Sequence, residues 1–450
     1  MDGWSGLVVR MLRRWTTEGP VLPVQVWAVL GADALSAVGS GLTLPFLLVY
    51  LHTVRGLSLG TAGAVCTTLA LAGLVGNPLG GVWADRFGPR PVLALGWATA
   101  SMGAVMLATV SNVWQAFAGA AVAGLGAALA WPALDTFLAA VVPERRRSSV
   151  FALRHATMNA GLAAGSLLAS VIAQVGRPSS FVLLYTLDAA SFLLAIPLLW
   201  AARNRPAGSA PVAVDGEDAA AAPADGYRVV ARDGLFVRLW LLIAVLVTVG
   251  IAQFNTAFPL LAVSAQMSAA VVGWAFAANM VTVTACQLLV LRAARGRRRT
   301  SAIVVLCALW ACSWMLVLAG RHLGMGVGAM LFVSAAVVFG FGETLFAPAL
   351  PALVNDIAPQ ALRGRYNGAS AFAYTTGFAL GPAAAGLLLQ HGLDTVLLLG
   401  LTLACTAAAA LAVTLRRRLP PGVDIIDPPA PDGATEPATP AATHQQEAPA

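Results

Sequence analysis

Apolar runs long enough to cross a bilayer alternate with short polar breaks along almost the whole chain. A helix needs about 20 apolar residues to span the hydrocarbon core. Runs of that kind fall at 24–50, 59–83, 91–110, 113–141, 149–175 and 180–201, then at 237–263, 268–291, 301–319, 324–354, 366–390 and 393–415. The pattern predicts twelve membrane-spanning helices and no strands. Residues 202–234 are rich in Ala, Pro, Gly, Asp and Arg, and read as a flexible linker between two sets of six. The fold expected is therefore an all-α membrane protein: an N-terminal bundle over 24–201 and a C-terminal bundle over 235–415. A polar tail, 1–23, precedes them, and a Pro/Ala/Thr-rich tail, 416–450, reads as disordered. Within the first tail, WSGLVVRMLRRW has the makings of a short amphipathic surface helix.

Composition agrees. Of the 450 residues 58% are hydrophobic and only 10% charged, less than half the charged share of an ordinary soluble domain. Every basic residue is arginine, and arginine placement orients the chain. With the N-terminus inside, 23 of the 27 arginines fall in inside segments. Only Arg55, Arg177 and Arg321 fall outside, and Arg154 lies within a helix. Both termini are then cytoplasmic, and the arginine-rich, alanine-rich usage points to a bacterial inner membrane. Trp83, Trp114, Trp200 and Trp240 lie near span ends, as an aromatic belt requires. The net charge of +7 is spread between apolar runs, which argues against nucleic acid.

The five cysteines all lie in apolar runs, without CxxC spacing or nearby histidines, and read as small buried side chains. No metal site, cofactor or nucleophile–base constellation is expected, so the chain does not read as an enzyme. There is no GxxxxGK[ST], and no lysine to complete one, which excludes ATP-driven pumping by this chain itself.

The two sets of six helices resemble each other. GAALAWPALDTFLAAVVPERRR (126–147) aligns with GETLFAPALPALVNDIAPQALR (342–363). Gly126/Gly342, Pro132/Pro348, Pro143/Pro359, Gly161/Gly377 and Gly165/Gly381 are all 216 residues apart. Pro45 and Pro259 pair the first helices of the two sets. Such repeats mark transporters that bind substrate near the midplane and rock one half against the other.

The break GGVWADRFGPRP (80–91) carries the most specific motif. Residues 81–93 resemble the loop between spans 2 and 3 of the major facilitator superfamily, Gly-x-Leu-Ala-Asp-Arg-x-Gly-Arg-Lys-x-x-Leu. Gly81, Ala84, Asp85, Arg86, Gly88, Arg90 and Leu93 match, while Trp83 and Pro89 depart. Gly88 permits a tight turn and Pro89 stops the preceding helix. The resemblance implies that this loop latches the two halves on the cytoplasmic side against the start of span 11. There LRGRYNG offers Arg363 and Arg365 to Asp85 in the outward-facing state. Residues 342–368 and 377–386 are further similar to twelve-span drug/proton antiporters. The antiporter motif Gly-x-x-x-Gly-Pro is complete at Gly377, Gly381 and Pro382, and reads Gly161, Gly165, Ser166 in span 5. Helix packing is the competing reading for both copies.

A carboxyl inside the membrane needs a reason. Asp33 lies about 14 Å into span 1, Glu343 about 17 Å from the inner end of span 10, and Asp188 about 12 Å into span 6, at 1.5 Å per residue. The resemblance places spans 1 and 10 on the central cavity, so Asp33 and then Glu343 are the foremost candidates for carrying a proton or a substrate cation. For Asp188, in a span that the resemblance places outside the cavity, a structural tie is the competing reading. Asp135 and Arg154 lie at similar depths on adjacent spans and read as a buried ion pair. His155 beside them is a candidate proton relay. Gln253 and Asn255 on span 7 are candidate cavity residues, and Phe254 and Phe258 beside them suit the core equally.

These features imply a proton-coupled secondary transporter, acting as a monomer, that exports drugs or small amphipathic compounds. Metabolite uptake or facilitated diffusion is the alternative, and a transporter-like sensor a lesser one. The expected partners are a small-molecule substrate, protons and the lipid bilayer.

Overall fold

The structure is a computed structural model that describes residues 24–142, 144–201, 226–359, 362–420 and 422–426. The amphipathic stretch, most of the linker and the tail beyond 426 lie outside them. Twelve long helices are present: α1 (Val24–Val54), α2 (Leu59–Phe87), α3 (Pro89–Ala108), α4 (Val113–Val141), α5 (Glu144–Ile172) and α6 (Pro178–Ala201) in the first half, then α7 (Gly234–Ser264), α8 (Ala269–Ala294), α9 (Arg299–His322), α10 (Met325–Ile357), α11 (Arg363–Gln390) and α12 (Asp394–Arg416). Among the described residues eleven are long and apolar enough to cross a membrane. α5 is not among them, because Arg154, His155, Asn159 and Ser166 interrupt its apolar run. Among the described residues there is no strand, only an isolated bridge between Arg298 and Ile425.

Local chemistry sets the helix ends. Ser58, Asn112 and Asp233 cap α2, α4 and α7 by accepting hydrogen bonds from first-turn amides. Gly88 separates α2 from α3 with φ +86°, a conformation that suits glycine, and Pro89 then opens α3. The proline expected to end one helix therefore also starts the next.

The two halves pack by the same scheme. α1 lies against α5 and α6, α2 against α4, and α3 against α4 and α6. In the second half α7 lies against α11 and α12, α8 against α10, and α9 against α10 and α12. The repeated glycines occupy equivalent contacts. A Cβ on Gly161 or Gly165 would strike the Ala34 or Val38 carbonyl of α1, and one on Gly377 or Gly381 would strike Val247 or Ala252 of α7. Close helix approach at these positions needs a hydrogen for a side chain. The Gly-x-x-x-Gly motifs thus act here as packing surfaces.

The first helix of each half is irregular. α1 holds a 3-10 turn at Leu44–Phe46, at Pro45, and a π turn at Tyr50–Val54. α7 holds a π turn at Val247–Ile251. The Val249 carbonyl in that turn accepts a hydrogen bond from the Trp314 indole at 3.1 Å. Phe254 and Phe258 are buried in an aromatic cluster, where Phe254 stacks on Phe339 at 4.5 Å and Trp310 on Phe339 at 4.7 Å.

Connectivity puts Val24 and Arg416 on one face, here the termini face. The halves make close contacts toward the opposite face. There Thr67 Oγ1 of α2 donates to the Ala379 carbonyl of α11 at 2.7 Å, and Gln390 accepts from the Gly60 amide at 2.9 Å. Gly63 faces the Pro382 carbonyl, and Gly273 of α8 sits against Ser166 and Ser170 of α5. α2 has no exposed residue from Leu59 to Ala70, whereas Leu71, Leu74, Val75, Asn77, Pro78 and Val82 are exposed. The halves therefore separate toward the termini face. Exposed leucines and valines such as Leu168, Val171, Leu194, Leu387 and Leu403 cover the outside of the helices, a surface suited to lipid. Cys312 is exposed among them, unlike the buried Cys66, Cys307 and Cys405.

Two segments are more structured than their composition suggests. The end of the linker forms a short helix, Gly226–Arg232, and Asp233 after it accepts a hydrogen bond from Tyr366 at 2.7 Å. Residues 422–426, within the tail expected to be disordered, pair with the α8–α9 connection. Gly296 N donates to the Ile426 carbonyl at 2.8 Å, and Ile426 N to the Arg297 carbonyl at 3.0 Å. Asp424 accepts from the amide and the hydroxyl of Thr300, at 2.9 and 2.8 Å, and so caps α9 from outside the helix.

Candidate functional site

A group of buried charge lies in the first half, where α1, α4 and α5 converge. Arg154 of α5 donates through Nε to Asp33 Oδ2 of α1 at 3.2 Å, and through a terminal nitrogen to Asp135 of α4. Its guanidinium also lies 4.9 Å from the Trp131 ring centroid, a cation–π contact. Arg154 and Asp33 are buried, and Asp135 is partly open. Asp135–Arg154 was expected; Asp33 as a second carboxylate on the same arginine was not. The glycine contacts of α5 with α1 bring Asp33 within reach. With both acids ionised the cluster carries one excess negative charge. Burial makes that charge costly, so a proton or a cation is favoured there.

The cluster forms one wall of a cavity of about 340 Å³. All its lining residues belong to the first half. Leu44, Leu47, Trp97 and Leu107 make it largely apolar, and Tyr185 and Asp188 of α6 complete it. Asp188 is buried and accepts a hydrogen bond from Thr43 Oγ1 through Oδ2 at 2.8 Å. A wider hollow of about 660 Å³ opens on the opposite face between the halves; its one acid, Asp394, is paired with Arg321.

The other candidates lie apart. His155 is exposed, on a different side of α5 from Arg154, and no described residue bonds to its ring. Glu343 of α10 is half-buried and accepts a hydrogen bond from Asn279 of α8 at 3.4 Å. The 216-residue repeat places it opposite Ala127, which lines the first-half cavity. Gln253 is buried and donates to the Gly381 carbonyl at 2.9 Å, which ties α7 to α11. Asn255 bonds to its own helix at the Ile251 carbonyl. Neither lines the two cavities described.

In the loop motif Gly81 has open space around it, Asp85 and Arg86 are exposed, and Arg90 lies 5.1 Å over the Phe137 ring. Among the described residues Asp85 makes no hydrogen bond or ion pair. Arg365 is half-buried, and the side chain of Arg363 lies outside the described residues. A loop standing clear of α11 accords with halves that are apart at this face.

Paired six-helix halves with lipid-suited exteriors and buried charge at an internal cavity define a multi-pass membrane transporter. The model of the Major Facilitator Superfamily matches residues 29–332 and 246–442, and the chain belongs to that family. It is similar to the Na(+), Li(+), K(+)/H(+) antiporter of Planococcus maritimus, with 24% identity covering 75% of this chain and 83% of that protein. It is also similar to the class E tetracycline resistance protein of Escherichia coli, with 29% identity over 38% of this chain and 42% of that protein. Among solved structures, one from work on substrate recognition in proton dependent oligopeptide transporters superimposes with a TM-score of 0.70. It has 16% identity and covers 88% of this chain and 99% of that one, a likeness of fold.

Proposed function

We propose that this protein is a proton-coupled secondary transporter that exports small amphipathic organic compounds by alternating access. The observation that carries the reading is the single arginine, Arg154, shared between Asp33 and Asp135 beside the cavity. Protonation of Asp33 leaves Arg154 to Asp135 and removes the excess charge. Loss of that proton restores it and attracts a cationic substrate. Proton and substrate then compete for one charge, the minimal requirement for exchange.

The driving force is adequate. One proton moving down one pH unit and about 100 mV releases about 3.7 kcal/mol, enough for a gradient of several hundredfold. The similarity to a resistance protein and to a proton antiporter supports the direction and the coupling. The arginine distribution supports a cytoplasmic termini face, so the described arrangement is the inward-open one. Asp85 then engages Arg363 or Arg365 when that face closes.

The test is flux in proteoliposomes with an imposed pH gradient and a panel of dyes and antibiotics. Substrate movement against its gradient should collapse with an uncoupler and in Asp33→Asn. Flux that persists unchanged under both rules out coupling through Asp33. Flux that only equilibrates substrate, with no response to the gradient, identifies facilitated diffusion.

A further inference from the structure

The second bundle concentrates arginine at its termini-face end. The α8–α9 connection holds five arginines from Arg292 to Arg299, and α12 ends in three more, Arg416 to Arg418. The equivalent connection of the first bundle, between α2 and α3, holds two, Arg86 and Arg90. The fold gathers the second-bundle arginines. α9 starts on this face and packs along α12, which ends on it. Residues 423–426, just beyond α12, lie across the connection, with Arg298 bridged to Ile425 and the Gly296 amide donating to the Ile426 carbonyl. Two local acids are engaged further in, Asp356 by buried Arg299 and Asp424 by Thr300. Arg297, Arg298, Arg416, Arg417 and Arg418 are exposed, and among the described residues none of them pairs with a carboxylate. Sorting the chain across the membrane requires an arginine excess on one side. It does not require that two segments over 100 residues apart be pinned together by a third.

The helices below these arginines are apolar on the outside. On α12, Leu403, Ala410 and Val413 are exposed at helical spacing, and Arg416 and Arg417 follow Val413 by three and four residues, on the same side. On α9, exposed Val305 lies about one turn beyond exposed Ser301, and Arg298 precedes both. An apolar stripe that ends in guanidinium groups has the polarity of a phospholipid, whose acyl chains meet the stripe while its phosphate meets the arginines. The guanidinium fork suits phosphate oxygens, and basic clusters next to a span draw anionic lipids.

We propose that this end of the second bundle binds an anionic phospholipid of the adjoining leaflet, its phosphate held between the α8–α9 connection and the end of α12. Arg297 and Arg298 donate from one side and Arg416, Arg417 and Arg418 from the other. The acyl chains run along Val305, Val413 and Leu403. The rival occupant is the chain itself, since residues 427–450 hold four acids and no arginine. Those acids are spread through a Pro/Ala-rich sequence with nothing to lay on the apolar stripe, which favours the lipid. The site does not depend on what the protein transports.

The test is a scintillation-proximity assay of tritiated phosphatidylglycerol on the immobilised full chain in detergent micelles. Unlabelled phosphatidylglycerol should compete at least about tenfold better than phosphatidylcholine, and soluble glycerol 1-phosphate should not compete. Arg297→Gln/Arg298→Gln and Arg416→Gln/Arg417→Gln/Arg418→Gln should each weaken binding by about tenfold or more, and the corresponding lysine variants should retain most of it. Arg177→Gln, on the opposite face, should change nothing. Equal competition by phosphatidylcholine, or unchanged binding in both glutamine variants, overturns the proposal. Equal competition by glycerol 1-phosphate overturns it in favour of a free-phosphate site. Binding that appears only after residues 427–450 are deleted overturns it in favour of the tail. If neither glutamine variant folds, wild-type binding that is unaffected by about 0.5 M sodium chloride overturns it, since exposed charges are screened there.

Discussion

Arg154 and Asp33 meet at 3.2 Å although 121 residues separate them in sequence, and the contact joins the first helix of the N-terminal bundle to the fifth. Arg154 is the only cation on the two carboxylates among the described residues. Removing it leaves two acids facing one another in a low-dielectric setting. Arg154→Ala is expected to lower unfolding stability by about 3 kcal/mol, the scale for breaking a buried pair. Thermal unfolding in detergent checks this. The double variant Arg154→Ala/Asp33→Asn should recover part of the loss, and no recovery would show that the two side chains are not coupled.

The loop motif separates folding from motion. Nothing lies within 4 Å of a Cβ placed on Gly81, whereas one on Gly80 would come within 2.7 Å of the Leu129 carbonyl. Gly80→Ala should destabilise the protein, and Gly81→Ala should leave its melting temperature unchanged or slightly raised. If the loop docks when the termini face closes, Gly81→Ala and Asp85→Asn both slow transport despite normal stability. A transport rate equal to wild type in Asp85→Asn removes the latch from the mechanism.

Closure at the opposite face depends on α2 and α11. Thr67→Val deletes one hydrogen bond between the halves, worth about 1 kcal/mol, and should shift the conformational balance by roughly fivefold toward the state open on that face. Gly63→Val is more severe, since its side chain would strike the Pro382 carbonyl and keep the helices apart. Distance measurements between spin labels at the ends of α2 and α11 read both effects. Labels that report wild-type closure in Gly63→Val would contradict this account.

The cap on α9 is supplied by Asp424, 124 residues beyond Thr300 in the same chain. Asp424→Ala should cost about 1–2 kcal/mol, the range for losing a helix cap and its hydrogen bonds. Truncation after residue 421 should cost at least as much, because buried Ile426 is lost with it. Equal melting temperatures for the truncated and full chains would refute it.

Periodicity made the helices and their order legible, because each helix must cover its own length of bilayer. The repeat was legible too, since Gly161/Gly165 and Gly377/Gly381 answer the same packing demand at the same spacing. The site was only partly legible. Depth along a helix matched Asp135 with Arg154, but depth does not give the rotation of α1 against α5, and that rotation brings Asp33 to the same arginine. For Asp188 the sequence shows an acid inside span 6, but not that Thr43 of α1 donates a hydrogen bond to it. His155, adjacent to Arg154 in the chain, turns outward, since neighbouring helical residues point about 100° apart. In the tail, alanine and proline dominate the composition, and the short VDII stretch that docks is too brief to alter it.

The strand-like pairing of Ile426 with Arg297 reaches beyond stability. It fastens the chain's exit to the floor of the second bundle, so whatever is grafted just after it travels with that bundle as a rigid pointer. A fluorophore there, paired with one on the first bundle, would read the rocking that alternating access requires as a change in energy transfer, without disturbing a single membrane-embedded residue.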